Sequence, residues 1–359
     1  MANRELGGVS YIPILSIRPA EMKALQELPE RDKDLLLPCF KLRPWAGAHH
    51  LSSALDRIED AYGERPYFLD LAEEEPAPAT PRPVHDELSA LRVSADGYAN
   101  WCRFVSQFRH VMPAVQVNEP AEIRLQVERL FGLDRGLVVP VPQRAFNQIE
   151  GIARTVSEET NGGQNVCFLL DFGKAGIELL QQQIICAGYA QTIFALCPLA
   201  VVSFSASSFP DSFAGVDHQE IYERQLFDGV RLALPGTQLI YSDRGSARAE
   251  RQGGGGGLPA PRIDYAQASR WRFYRADNGG DRMSDYQAQA EALIDDTQVW
   301  DPELRLWGTQ MIERTSLGDL DAIISPARST AVRINIHLHQ QLFYGEPARL
   351  HETDEDWSD

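Results

Sequence analysis

The feature that most constrains this chain is a recurrence. Short, almost continuously apolar runs alternate with segments of helical spacing, eight times before residue 245. The runs are Tyr11–Ile17, Leu35–Leu42, Arg65–Leu71, His110–Asn118, Arg135–Pro142, Asn165–Gly173, Leu199–Ser207 and Thr237–Gly245. A strand with one wet face alternates apolar and polar residues, whereas a strand covered on both faces has no need to. The runs therefore predict a parallel sheet, with the intervening segments as crossover helices. After the first run, Pro19 suits a first helical position, and Met22, Leu25 and Leu28 fall on one face. Eight such units point to an α/β fold, a (β/α)8 TIM-like barrel. The competing architecture is an open doubly wound sheet. No Gly-x-Gly-x-x-Gly follows the first run, which weakens its dinucleotide-binding version.

After the eighth run the pattern breaks. Residues 245–329 read as one long insertion between strand 8 and helix 8 of a single barrel domain spanning 1–359. The insertion contains five successive glycines, Gly253–Gly257, a flexible loop by composition. It also contains "SRWRFYR", Ser269–Arg275, whose alternation suits an amphipathic strand, and a helix from about Asp285 to Asp295. The stretch "AEEEPAPATPRPVHDE" (72–87) reads as a mobile loop. The acidic tail, 352–359, reads as a solvated end.

Charge narrows the function. A net charge of -17 disfavours nucleic acid and anionic membrane and favours a basic protein partner. The five cysteines are scattered, without Cys-x-x-Cys, and suggest reduced thiols rather than a disulfide frame or a zinc site. No run approaches the length of a membrane span, and the N-terminus has no secretory pattern. A cytoplasmic location is expected, with neither metal nor cofactor.

In a barrel the strand ends converge on one face, where sites are built. The ends here offer Ser16, Arg18, Lys41, Arg43, Asp70, Gln116, Asn118, Gln143, Asp171, Ser203, Ser205, Ser242, Asp243 and Arg244. From these, the candidate ligand-binding set is Lys41, Arg43, Asp70, Asn118, Asp171, Ser205 and Asp243. Asp70 and Asp171 each sit alone among hydrophobic residues, and such a carboxylate needs a partner that Lys41 or Arg43 can supply. A mouth of this kind suits a small anionic, phosphorylated or nucleotide-like ligand, or, as an alternative, a divalent metal. The structural alternative is that internal Lys–Asp pairs only close the barrel. No nucleophile elbow, P-loop or His-Glu-x-x-His occurs, and the serines of "FSASS" have no evident triad. A binding protein is favoured over an enzyme.

One late stretch invites a metal reading. In "VRINIHLHQQLFYG", Val332–Gly345, Ile334, Ile336 and Leu338 alternate with Asn335, His337 and His339. The eight strands are already assigned, however, and the alternation stops after His339. On a helix His337 and His339 lie about 200° apart and cannot grip one ion together. The segment is expected to be the last helix of the barrel, with Val332, Ile336, His339 and Phe343 on one face, Arg333, His337 and Gln341 on another, and Gly345 as its stop.

Several blocks resemble the Beta-protein family: "YIPILSIRPAEMKALQEL", "LLPCFKLRPW", "WRFYR", "LWGTQMIE" and "VRINIHLHQQLFYG", in that order along nearly the whole chain. The family takes its name from a satellite-bacteriophage protein that prevents host killing by a toxic partner encoded beside it, and related gene sets act as phage-defence cassettes. The resemblance implies an immunity or antitoxin-like role, with a toxic effector encoded nearby as partner. It carries no catalytic residues over to this sequence.

Overall fold

The computed structural model describes residues 5–76, 80–248, 258–277 and 280–353. The glycine run Gly253–Gly257 and tail residues 354–359 lie outside them. The chain divides into two compact units, one of Met1–Arg18, Leu36–Ser207 and Tyr222–Arg244, the other of Pro19–Leu35, Ser208–Ile221 and Gly245–Asp359.

The first unit holds eight strands: β1 (Tyr11–Ser16), β2 (Cys39–Leu42), β3 (Tyr67–Leu71), β4 (Val111–Pro113), β5 (Leu137–Pro142), β6 (Val166–Lys174), β7 (Val201–Ser207) and, after β8 (His218–Glu220) of the second unit, β9 (Leu239–Asp243). Their order is β4-β3-β2-β1-β9-β7-β6-β5. All seven pairings are parallel. A parallel bridge between Ala114 and Val138, with Val115 N donating to Val138 O at 2.9 Å, joins the two ends. The result is a (β/α)8 barrel, the fold the apolar runs predict.

Helices follow the strands as crossovers. Those after β1, α1 (Pro19–Gln26) and α2 (Glu30–Leu35), fall in the second unit. The first unit contains α3 (Ser52–Tyr62) after β2, α4 (Pro83–Leu91) and α5 (Ala95–Ser106) after β3, and α6 (Ile123–Phe131) after β4. It also contains α7 (Ile149–Glu159), α8 (Gln183–Leu196) and α9 (Tyr222–Ala233) after β5, β6 and β7. The start of α4 corrects one expectation: the stretch read as a mobile loop contains a helix from Pro83 onward, proline being suited to that position. Residues 77–79 of that stretch lie outside the described ones.

The strands alternate sides, and the alternation sorts the barrel. One buried cluster takes Ile12 and Ile14 from β1, Cys39, Phe68, Met112 and Val138 from the next four strands, and Cys167, Leu169, Val201 and Ile240 from the last three. These share one parity along their strands and fill the interior. Continuing the parity toward the strand ends reaches Ser16, Lys41, Asp70, Gln116, Asp171, Ser205 and Arg244. Asp243 has the opposite parity.

In the second unit β8, β10 (Arg262–Ala266) and β11 (Arg270–Arg275) form an antiparallel sheet in the order β10-β11-β8. "SRWRFYR" is thus a strand, with Trp271 and Phe273 buried. The helices here are α10 (Arg282–Asp295), α11 (Trp307–Ser316) and α12 (Pro326–Leu342). The segment with the two histidines is helical, as expected, although α12 starts at Pro326, inside the span read as insertion. The helix is buried all round: every residue from Ala331 to Leu342 is buried.

The buried polar residues of α12 therefore call for partners, and most of them have one. Arg333 Nη1 donates to Asp264 Oδ2 at 2.6 Å. Asn335 accepts from Gly308 N and donates to Ala24 O, both at 3.0 Å. The Trp271 indole N–H donates to His337 Nδ1 at 3.2 Å. His339 bonds Asp32 Oδ2 at 2.6 Å and Leu350 O at 2.9 Å. The two histidines serve different partners, as the helical reading requires. Among the described residues no group of three or more His, Cys, Asp and Glu side chains is placed to hold a metal ion.

Candidate functional site

The strand ends of the barrel open into a cavity of about 590 Å³. Its floor is ionic. Lys41, on β2, donates to Asp70 Oδ2, on the neighbouring β3, at 2.5 Å; the two are register partners. Asp70 Oδ1 accepts from Gln116 Nε2 and from Leu71 N, both at 2.8 Å. Across the floor Arg244 donates to Asp171 Oδ2 at 2.5 Å, and Gly173 N donates to Asp171 Oδ1 at 2.9 Å. Burial works against the ammonium of Lys41, but the carboxylates of Asp70 and Asp171 outweigh it and hold its pKa above the usual lysine value.

Gln116 reaches Asp70 because of a substitution in the ladder. The run His110–Asn118 reads as one long strand, yet β4 covers only Val111–Pro113. Beyond it the side-chain amide of Gln126, on α6, stands in for a neighbouring strand. Gln116 N donates to Gln126 Oε1 at 2.6 Å, and Gln126 Nε2 donates to Gln116 O at 3.1 Å. Gln126 is fully buried. The backbone is thereby satisfied without a strand partner, and the Gln116 side chain is free to bond the floor.

The rim is built by α4, α5 and the loops after β3, β4 and β5. It carries Glu73, Glu74, Arg92, Tyr98, Glu119 and Arg144. Arg144 donates to Asn118 Oδ1 at 3.0 Å, and Arg92 donates to Ala72 O. Burial pulls the Arg92 guanidinium below the usual arginine value, opposed by Glu74, Asp70 and Glu75. Tyr98 is delivered by a strained turn. Asp96, Gly97 and Tyr98 all have left-handed backbone, with φ of 54°, 58° and 54°. Such a run costs an ordinary residue of order 1 kcal/mol or more per position, and it persists only where the surroundings dictate it. Here Gly97 N donates to Glu122 Oε2 at 2.6 Å, and Arg129 donates to Asp96 Oδ1 at 2.8 Å. A Cβ on Gly97 would stand 2.8 Å from Leu125 Cγ, so the turn also requires glycine for close approach.

Of the seven candidate residues, Lys41, Asp70, Asn118 and Asp171 line this one cavity. Arg43 turns to Glu75, at 2.6 Å. Ser205 is the register partner of Asp171 on β7 and is buried. Asp243 departs from expectation. It is fully buried on the opposite parity and accepts from the hydroxyls of Tyr11 at 2.5 Å and Tyr241 at 2.9 Å. The Arg224 guanidinium lies 3.2 Å from the centre of the Tyr241 ring. Burial and the Asp243 charge push both phenols well above their usual pKa. Asp243 thus anchors tyrosines, and Arg244 takes the inward position expected of it.

A family model described as Beta protein matches residues 11–343. The chain belongs to the Beta protein family. It is similar to Protein beta of Enterobacteria phage P4, at 26% identity over 350 residues, covering 94% of each chain. The match spans strands and helices of both units, so the similarity of this Beta family member extends beyond the barrel strands. Among its described residues no helix is long and apolar enough to cross a membrane.

Proposed function

We propose that this Beta family member is a regulatory protein of a phage-defence cassette, and that it restrains a toxic protein encoded nearby. The observation that carries the reading is family membership across residues 11–343, combined with the immunity role that the family resemblance implies. The net charge of -17 supports a basic partner. The floor chemistry supports binding over catalysis. Lys41 and Asp171, which a catalytic reading would use as base or acid, are each engaged in a short ion pair.

The test is to express each adjacent reading frame alone and together with this chain. One frame is expected to stop growth by itself, and co-expression of this chain is expected to restore colony formation. If no neighbour is toxic, or the chain fails to restore growth, the reading is lost. A second reading is favoured by two buried donors beside Asp171. Ser205 Oγ and Arg244 Nε have no hydrogen-bond partner among the described residues. This reading makes the mouth a receptor for a small ligand, an anionic or phosphorylated one being the first expectation.

A further inference from the structure

The rim charges revise that expectation. Arg92 and Arg144 line the cavity together with Glu73, Glu74 and Glu119, yet among the described residues none of the five takes part in an ion pair. Among the described residues Arg92 and Arg144 donate only to neutral oxygens, Ala72 O and Asn118 Oδ1, so neither guanidinium is matched by a carboxylate. Surface ion pairs contribute little, so little stability is lost by this. The floor differs: Lys41 and Arg244 are already matched to Asp70 and Asp171, and the floor adds no net charge. A simple dianion at the rim would meet two arginines but also three carboxylates, and a diamine would meet the converse. A molecule bearing both signs meets both sets.

From this juxtaposition of unpaired cations and carboxylates over a neutralised floor, we propose that the barrel mouth binds a small zwitterion of the amino-acid or short-peptide class. Its acidic group faces Arg92 and Arg144, and its basic group faces the rim glutamates. The inference rests on the second reading above, that the mouth receives a small ligand. It does not depend on the toxic partner. The volume of about 590 Å³ fits a small molecule. Behind the floor, Ser205 Oγ and Arg244 Nε are buried donors without a partner among the described residues, beside Asp171, although neither residue lines the cavity itself. Tyr98 borders the opening, held there by the left-handed turn and its anchors on Glu122 and Arg129.

The experiment is calorimetric titration of the full chain with glycylglycine and 6-aminohexanoate as zwitterions, inorganic phosphate and succinate as anions, and 1,4-diaminobutane as a cation. Arg144→Gln and Glu119→Gln both change exposed side chains, and melting curves confirm their folding. The expected result is saturable binding of a zwitterion, weakened about tenfold or more in each variant. If phosphate or succinate binds as tightly as either zwitterion, or neither variant weakens zwitterion binding, the mouth is a receptor of another class and this inference is overturned. If no probe gives heat or raises the melting temperature, the receptor reading itself fails.

Discussion

The barrel mouth and the surroundings of α12 are both buried, charged and built from arginine, aspartate and amide side chains, yet they are finished differently. On α12 itself no fully buried polar side-chain atom lacks a partner, although among the described residues Asp32 Oδ1 and Tyr265 Oη in other elements of the same unit do, and aromatic rings cover the charges. Arg333 lies 4.0 Å from the centre of the Phe209 ring while it bonds Asp264, which also accepts from Arg262 Nη2 at 2.8 Å. In the mouth the strong pairs are complete, Ser205 Oγ and Arg244 Nε behind them have no partner among the described residues, and Lys41, Asp70 and Asp171 of the network line a cavity. The contrast separates a polar core that specifies packing from one that remains available to a ligand. Buried polar groups are normally satisfied. Exceptions also occur in the second unit, at Arg31, Asp32, Tyr265, Arg272 and Arg282, but those at the barrel end stand out in lying beside Asp171, which lines the cavity.

The comparison breaks most readily in the α12 region. Arg333→Leu would leave Asp264 with one guanidinium and a partly uncompensated buried charge. Removing one member of a buried pair costs about 3–5 kcal/mol. A large fall in the urea midpoint is expected. A change below about 1 kcal/mol would mean that this network is as dispensable as an exposed pair.

A smaller effect separates the two networks by pH. Burial would raise the Asp264 pKa, but Arg262 and Arg333 outweigh it and hold the carboxylate below its usual value. A carboxylate with a depressed folded pKa contributes stability above its unfolded value of about 3.9, and that contribution is lost as pH falls through the folded value. Lys41 is shifted the other way. Its contribution is complete below about 10.4 and is lost as pH rises through the raised folded value. Urea unfolding across pH is therefore expected to lose part of its acid-limb slope in Asp264→Asn and part of its alkaline-limb slope in Lys41→Met. The reverse assignment would contradict the electrostatic account.

Much of this was legible in sequence, for a physical reason. Parallel strands covered on both faces must be apolar throughout, so the eight runs declare themselves. The same property hides which parity points inward. In "LIYSDR" the run gives no sign that Ser242 and Arg244 face the interior with Ile240 while Asp243 turns to Tyr11 and Tyr241. Arg244 was available as a strand-end residue, and the interior parity of Ile240 is the signal that selects it. The ladder-mimicking Gln126 and the left-handed turn at Asp96–Tyr98 depend on contacts with other elements. Only Gly97 hints at the turn. Spacing alone places the polar residues of α12 on helical faces, because sequence shows residue type, not the partner that Asp264, Gly308, Trp271 or Asp32 supplies.

The most direct test replaces the Lys41–Asp70 pair as a whole, with Lys41→Met and Asp70→Leu combined. Swapping a buried ion pair for apolar side chains of similar size is often neutral or stabilising by about 1–4 kcal/mol. If the mouth network is kept for a ligand, the double variant melts at or above the temperature of the natural chain and binds the zwitterion more weakly, because the cavity floor has lost its polar groups. A marked drop in melting temperature with binding retained would make the pair a strut of the barrel and contradict the account.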